Sequence, residues 1–423
     1  MNKLKIILII AALSTLGPFS TDTFFPSFPA LAEHFHVSEI QMQATLSYYL
    51  VALAGMNLFH GALSDSFGRR RVMVLALILY TASSLACVAA PNFNWLLWLR
   101  VVQGLAAGAG MIISRAMIRD LFQGAEAQQL MAQAAMLQGA GPVLAPIIGG
   151  WLHVWFGWRG PFVFLGLLGL VLMLACRYGL PETLPAHARQ VFHPGHLFGA
   201  YTETATQPAF VLSCLALAFG GGGFLLYVAT APDVVLNILR LSATQFGWLF
   251  VPMISGLIFG AALSGWLARC ISPRRQVRLG FVLMALGAII NVAVSHWFVP
   301  RVPWTVLPLT LFTFGFSLVA PVVALEGLDM FPRRKGLASS MQGFAQTLVF
   351  ALIAGLAAPL VFHSGLKHAL GLALLMAASY LAYVGSRYFG ALPSGGGPGA
   401  ENASSSLLFA PQTKTTIHLD SKA

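Results

Sequence analysis

The sequence predicts an all-α polytopic membrane protein of twelve transmembrane helices arranged as two six-helix bundles, and three observations predict it. First, 57% of the 423 residues are hydrophobic and only 9% are charged, far from the composition of a soluble domain. Second, the apolar residues gather into twelve runs. Each is close to the roughly 20 residues that a helix needs to cross about 30 Å of hydrocarbon. Third, Lys and Arg concentrate in alternate loops between these runs, the asymmetry that orients membrane proteins.

The first run, about residues 4 to 26, follows Lys3 and Lys5. It is too long for the core of a signal peptide, lacks a small-x-small cleavage site and carries Asp22, Pro26 and Pro29 toward its end, so it reads as the first span. Five more spans follow at about 41–64, 72–91, 94–116, 128–153 and 161–180. Another six lie at about 208–230, 246–268, 277–299, 304–326, 338–361 and 366–388. Residues 1–180 are therefore expected to form an N-terminal six-helix bundle and 208–389 a C-terminal one, with a cytoplasmic central loop at 181–207 between them. Residues 390–423, rich in Gly, Ser and Pro, read as a disordered cytoplasmic tail.

With the N-terminus on the cytoplasmic side, 19 of the 24 Lys and Arg fall on that side, while Arg159, Arg240, Arg301 and Lys367 fall outside and Arg100 lies within a span. Both termini are then cytoplasmic. The formal charge of +11 does not indicate a nucleic-acid surface, because these residues are spread among short loops and not gathered on one face. The four cysteines (Cys87, Cys176, Cys214, Cys270) lie in or beside apolar runs without a C-x-x-C spacing and read as packing residues. His187, His193 and His196 fit no standard zinc spacing, so no metal is expected. No G-x-x-x-x-G-K-S/T loop is present, which leaves an ion gradient as the energy source and no cofactor.

The chain is organised around Gly61-Ala62-Leu63-Ser64-Asp65-Ser66-Phe67-Gly68-Arg69-Arg70-Arg71, a short charged connection between the second and third runs. Its charges cannot enter hydrocarbon, and Gly61 and Gly68 suit a tight reversal. Gly265 to Arg275, between the eighth and ninth runs, is a degenerate copy with Arg269 where the acid would stand. Such an echo is what an internal repeat leaves behind.

Ionisable groups inside a membrane are costly and are functional candidates by default. Asp22 lies about four residues before the outer end of the first run and Arg100 about six residues into the fourth, so both sit roughly 6 to 9 Å below the outer surface, within reach of each other. A carboxylate beside a guanidinium stays ionised, whereas a desolvated one without that partner takes up a proton. A pair that forms and breaks as helices rock would therefore couple proton binding to conformation. A permanent ion pair fixing two helices is the plainer alternative.

In the fifth run, Gln138 to Gly150 places small residues with Pro142 and Pro146 inside one span, a pattern of a bent, closely packed helix. Tyr48, Tyr49 and Asn57 in the second run, and Phe219 and Tyr227 in the seventh, are candidates to line a cavity, as is Ser14 in the first. Glu326 and Asp329 precede Phe331-Pro332-Arg333-Arg334-Lys335 and read as a surface ion cluster, with Glu326 also within reach of an inward cavity. Asp233 reads as an interfacial residue.

These residues together resemble the drug:proton antiporter branch of the major facilitator superfamily, and within it the Bcr/CflA group associated with bicyclomycin and chloramphenicol efflux. The resemblance covers roughly residues 10 to 390. Asp22, Pro26 and Pro29 are similar to the group's first-helix D-x-x-x-P-x-x-P, which implies proton or substrate handling at Asp22. Asp65, Gly68, Arg69 and Arg70 match the superfamily loop, whose charges hold the cytoplasmic ends together in the outward-facing state. Arg100, Gln103 and Gly104 match R-x-x-Q-G of the fourth helix, linked to proton transfer. Pro146, Gly149 and Gly150 match the antiporter motif G-P-x-x-G-G, with Ala145 in place of its first glycine. Trp158-Arg159, Pro181-Glu182-Thr183 and Gly336 to Ser340 also resemble this group.

The resemblance implies a monomeric transporter of the bacterial inner membrane, exchanging small amphiphilic drugs for protons by alternating access, and not an enzyme. Some multidrug relatives carry a second acid where Ser14 stands here, which makes a neutral substrate at least as fitting as a lipophilic cation. A metabolite exporter or importer on the same fold is the nearest alternative. A transporter-like sensor or a membrane enzyme is a more distant one.

Overall fold

The computed structural model describes residues 3–185, 187, 189, 194–332 and 334–391, and among these all regular structure is helical. Eleven helices are long and apolar enough to cross a membrane, and a bent pair, Glu39–Asn57 with His60–Phe67 at 49°, makes a twelfth. Their order is Ile6–Phe35, the bent pair, Arg69–Val88, Phe93–Leu121, Leu137–Phe156, Arg159–Gly179, Pro208–Ala229, Gly247–Leu267, Pro273–Trp297, Leu307–Asp329, Lys335–Val361 and Gly365–Gly390. They are called the first to twelfth spans, and the end expected to be external is called outer. The expected tail lies almost entirely outside the described residues, as do Arg333 and His193.

The first span departs most from expectation. It does not stop near residue 26 but continues to Phe35 in pieces: Lys3–Ser14, Leu16–Asp22, a 3-10 turn at Phe25–Ser27 and Phe28–Phe35. Pro26 and Pro29 occupy the first positions of new helical pieces, where the missing N–H costs nothing, and so do not terminate the span. Asp22 is consequently about 13 residues from the outer end, or about 20 Å at helical rise, far deeper than four residues would place it.

Within the first six spans the second packs on the fourth, and the third on both the fourth and the sixth. Within the last six, the seventh packs on the twelfth, and the tenth on the eighth and ninth. The most extensive contacts bridging these sets put the second span along the eleventh and the fifth against the eighth. Helix starts are locally encoded. Ser38 and Gln41 form a reciprocal capping box at the second span, and the Asn92 side chain accepts from the Trp95 N–H at the fourth.

The central segment is not all loop, because Pro194–Ala205 forms a helix whose Tyr201 hydroxyl donates to the Leu58 carbonyl at the bend of the second span. Gly61 also differs from expectation. It sits inside the helix His60–Phe67, with nothing within 4 Å of where a Cβ would stand, so the reversal rests on Gly68 alone.

Candidate functional site

Arg100 is the centre of the site. It is fully buried in the fourth span, yet no carboxylate pairs with it within 4.0 Å among the described residues. Its Nη1 donates to the Ser20 carbonyl at 3.1 Å and to Gln103 Oε1 at 2.7 Å, and its Nε donates to the Thr45 carbonyl at 3.3 Å. The guanidinium also lies between two aromatic faces, 4.3 Å from the centroid of Phe24 and 4.5 Å from that of Tyr49. Carbonyl dipoles and ring quadrupoles thus do the work of a counter-ion.

The break in the first span makes this possible. The helical piece ends at Asp22, so the carbonyl of Ser20 faces Arg100. Gln103, one turn along from Arg100, hands the chain of bonds on by donating to Ser84 Oγ at 2.7 Å. Gly104 seats this face, because a Cβ there would stand 2.2 Å from the Tyr49 carbonyl.

Asp22 is buried nearby, 3% exposed, but forms no ion pair with Arg100 within 4.0 Å. The two residues do share one region of the N-terminal half without pairing, although Asp22 lies deeper than the depth argument placed it. Several polar atoms around Arg100 are buried without a hydrogen-bond partner: its own Nη2, Ser20 Oγ, Tyr49 Oη and Tyr80 Oη. Buried polar groups are seldom left so.

The fifth-span motif touches this region directly. A Cβ on Gly149 would stand 1.8 Å from the carbonyl oxygen of Thr23, the residue after Asp22. A Cβ on Gly150 would stand 2.2 Å from the carbonyl of Ala243, before the eighth span. Pro142 and Pro146 lie within the same helix, and Pro18 of the first span rests on Gly141.

Of the other cavity candidates, Tyr49 joins the arginine cluster, whereas Tyr48 is 48% exposed. Ser14 is buried and its hydroxyl donates to the Ile10 carbonyl of its own helix. Asn57 reaches across to the eleventh span, donating to Thr347 Oγ1 at 3.2 Å. Tyr227 is buried against Asn291 at 2.6 Å, and Phe219 is half-buried in the same seventh span. Glu326 is engaged with Arg387 at 3.3 Å, and Asp329 with Lys335 at 2.7 Å.

At the end opposite the outer one, separate motifs converge. Arg69 pairs with Asp65 one turn earlier, and its Nε reaches Asp120 Oδ2 at 3.2 Å. Its backbone N–H donates to Glu182 Oε1 at 2.8 Å, so the carboxylate of Pro181-Glu182-Thr183 caps the third span. Thr183 donates to Asp120 at 2.8 Å, and the Arg70 guanidinium donates to the Arg177 carbonyl. Gly68 is doubly required: its φ is +99°, and a Cβ would stand 2.6 Å from Glu182 Oε2. Gly68→Ala is expected to reduce transport at least fivefold at unchanged expression in a cell-based uptake assay, with Gly61→Ala near wild type. Equal activity of the two variants would show that this contact is dispensable.

Three features escaped the sequence reading. Asp233 lies just beyond the outer end of the seventh span, as expected, but is fully buried: Asn237 Nδ2 donates to its Oδ1 at 3.0 Å, the His363 N–H donates to its Oδ2 at 2.8 Å, and His363 Nδ1 lies 3.0 Å away. Asn237 also donates to Glu39 at 3.1 Å, which latches the outer ends of the second and seventh spans. The donor atoms of Glu39, Asp233 and His363 lie within 4.8 Å of one another, but both Asp233 oxygens already accept N–H bonds, which favours a latch over a cation site. His60 is buried in the second span beside Asn57 and Gly108, with Nδ1 unpartnered. Asp120 is the third. The rule that flags intramembrane ionisable residues would have found His60. Nothing local points to the Asp233 latch, whose partners are 130 residues apart.

Two sets of helices bridged at a few contacts, with a desolvated charge and orphaned polar groups deep in one set, define a helical membrane transporter. The chain belongs to the Major Facilitator Superfamily, whose family model matches residues 8–359. Among curated relatives, the bicyclomycin resistance protein homolog of Haemophilus influenzae is 26% identical over 85% of this chain and 92% of its own length. Multidrug resistance protein D of Escherichia coli is likewise 26% identical, over 85% of this chain and 90% of its own. Among solved structures, a bacterial homolog of the human lysosomal transporter Spinster, inward-facing and unoccupied, superposes with a TM-score of 0.72 at 16% identity, covering 92% of this chain and 98% of the other.

Proposed function

We propose that this protein is a proton-coupled antiporter of the bacterial inner membrane, with both termini cytoplasmic, that expels small amphiphilic antibiotics by alternating access. The observation that carries the reading is the Arg100 cluster: a fully buried guanidinium without a paired carboxylate, orphaned polar atoms around it, and Asp22 close by on a broken helix. The names of the relatives, which speak of bicyclomycin and multidrug resistance, support the substrate class.

In this mechanism Asp22 carries the exchanged proton. Its ionised form draws the Arg100 guanidinium toward the first span, and its protonated form leaves Arg100 on the carbonyls of Ser20 and Thr45. Each proton thus shifts the balance between two packings of the first span against the second and fourth. The fifth span, pressed on Thr23 through Gly149 and on Ala243 through Gly150, links that shift to the C-terminal half. With Ser14 in place of a second acid, a neutral phenicol- or bicyclomycin-like molecule suits the site at least as well as a lipophilic cation.

The test is drug-dependent proton movement in inverted vesicles, followed by a pH-sensitive dye with chloramphenicol, bicyclomycin and a lipophilic cation. Wild type is expected to dissipate the gradient with at least one neutral drug and Asp22→Asn to lose at least nine-tenths of that response. A full response in Asp22→Asn would remove Asp22 from coupling. No response to any drug in well-expressed wild type would turn the reading toward a metabolite substrate.

A further inference from the structure

Apart from the arginine cluster, the molecule carries a groove of about 460 Å³ between the ninth and twelfth spans. One end is basic: Arg274 and Arg278 from the start of the ninth span and Arg387 from the end of the twelfth. Beyond them the floor is Phe281, with Tyr380 edge-on at a centroid distance of 5.2 Å and Tyr383 at 5.5 Å. The far end is apolar, at Ala285 and Met376.

The dimensions select the occupant. On each span the lining runs over twelve residues, eleven helical steps, from Arg274 to Ala285 and from Met376 to Arg387. At helical rise that is about 16 Å, close to the thickness of one leaflet of hydrocarbon. The basic end therefore lies at the headgroup level of the expected cytoplasmic leaflet, and the apolar end near the bilayer centre.

The charges select it further. Arg387 is matched by Glu326 at 3.3 Å, but Arg274 and Arg278 are exposed and pair with no carboxylate among the described residues. Two uncompensated guanidiniums above an apolar slot one leaflet deep suit a phosphate that carries an acyl chain.

We propose that this groove is a binding site for an anionic phospholipid of the cytoplasmic leaflet, its phosphate held by Arg274 and Arg278 and one acyl chain laid over Phe281 toward Met376. The lipid would bind on the C-terminal bundle between the ninth and twelfth spans, independently of the Arg100 site.

The experiment is native mass spectrometry of the detergent-purified full chain titrated with phosphatidylglycerol or phosphatidylcholine. Wild type is expected to retain phosphatidylglycerol in preference to phosphatidylcholine. The double variant Arg274→Gln/Arg278→Gln should bind phosphatidylglycerol about thirty-fold more weakly, from the contribution of a basic residue near an anionic headgroup taken twice. Arg275→Gln, just outside the groove, should bind as wild type, and Arg274→Lys/Arg278→Lys should retain most of the affinity, which separates lost charge from lost folding. Equal retention of the two lipids by wild type, or wild-type affinity in the double Gln variant, would overturn the proposal. So would displacement of the lipid by chloramphenicol or bicyclomycin, which would make the groove a drug site.

Discussion

Gly149→Ala is expected to abolish transport, lowering drug-dependent proton flux more than tenfold, whereas Gly139→Ala in the same helix should leave it unchanged. The added methyl group would stand 1.8 Å from the Thr23 carbonyl oxygen, less than any non-bonded contact allows, and nothing lies within 4 Å at Gly139. Something must therefore move. The obstacle is backbone, and overpacking of this kind typically costs about 1–3 kcal/mol. The fifth span would be pushed off the break in the first span, and the packing that holds Asp22 beside the arginine cluster would loosen. Flux in inverted vesicles and the unfolding midpoint in detergent should fall together. Wild-type flux in Gly149→Ala would mean that the two helices do not touch in the working cycle.

Arg100→Lys should be nearly as damaging, with flux at least tenfold below wild type at comparable expression. A lysine keeps the positive charge but not the planar fork that reaches Ser20, Thr45 and Gln103 at once while lying between Phe24 and Tyr49. Gln103 Oε1 and the Ser20 carbonyl, freed by the end of the helix, would lose the guanidinium N–H that serves both. If the site needs only a cation, Arg100→Lys will transport normally. Scoring it beside Arg100→Gln separates charge from geometry.

The helical membrane fold was legible in the sequence because a bilayer imposes a length and a composition on every segment that crosses it. The pairing of Gly68 with the charged loop and the shared region of Asp22 and Arg100 were legible for related reasons: glycine marks a backbone constraint, and buried charge is scarce. What was misread came from local rules overridden by packing. Pro26 and Pro29 look like the end of a helix, yet the span resumes after each because both occupy first-turn positions. Arg100 suggests a carboxylate partner, yet carbonyls and aromatic faces fill that role. Asp233 lies after Ala231-Pro232 at what reads as a surface, but a turn of π-helix at Asp233–Ile238 carries it inside, against His363. No pattern within either segment foretells that meeting.

The first span is best regarded as two levers on one axle. Between Asp22 and Phe25 no continuous ladder of main-chain bonds joins the inner piece to the outer one, and the prolines at 26 and 29 remove donors that could rebuild it. The outer lever, Phe28–Phe35, and the inner lever, Leu16–Asp22, are thus not held to one tilt by a shared ladder of bonds. Alternation of this helix then needs no rupture of intact helical turns, and the barrier to each swing falls on the side chains that flank the axle: Phe24, Asp22 and the guanidinium beneath them.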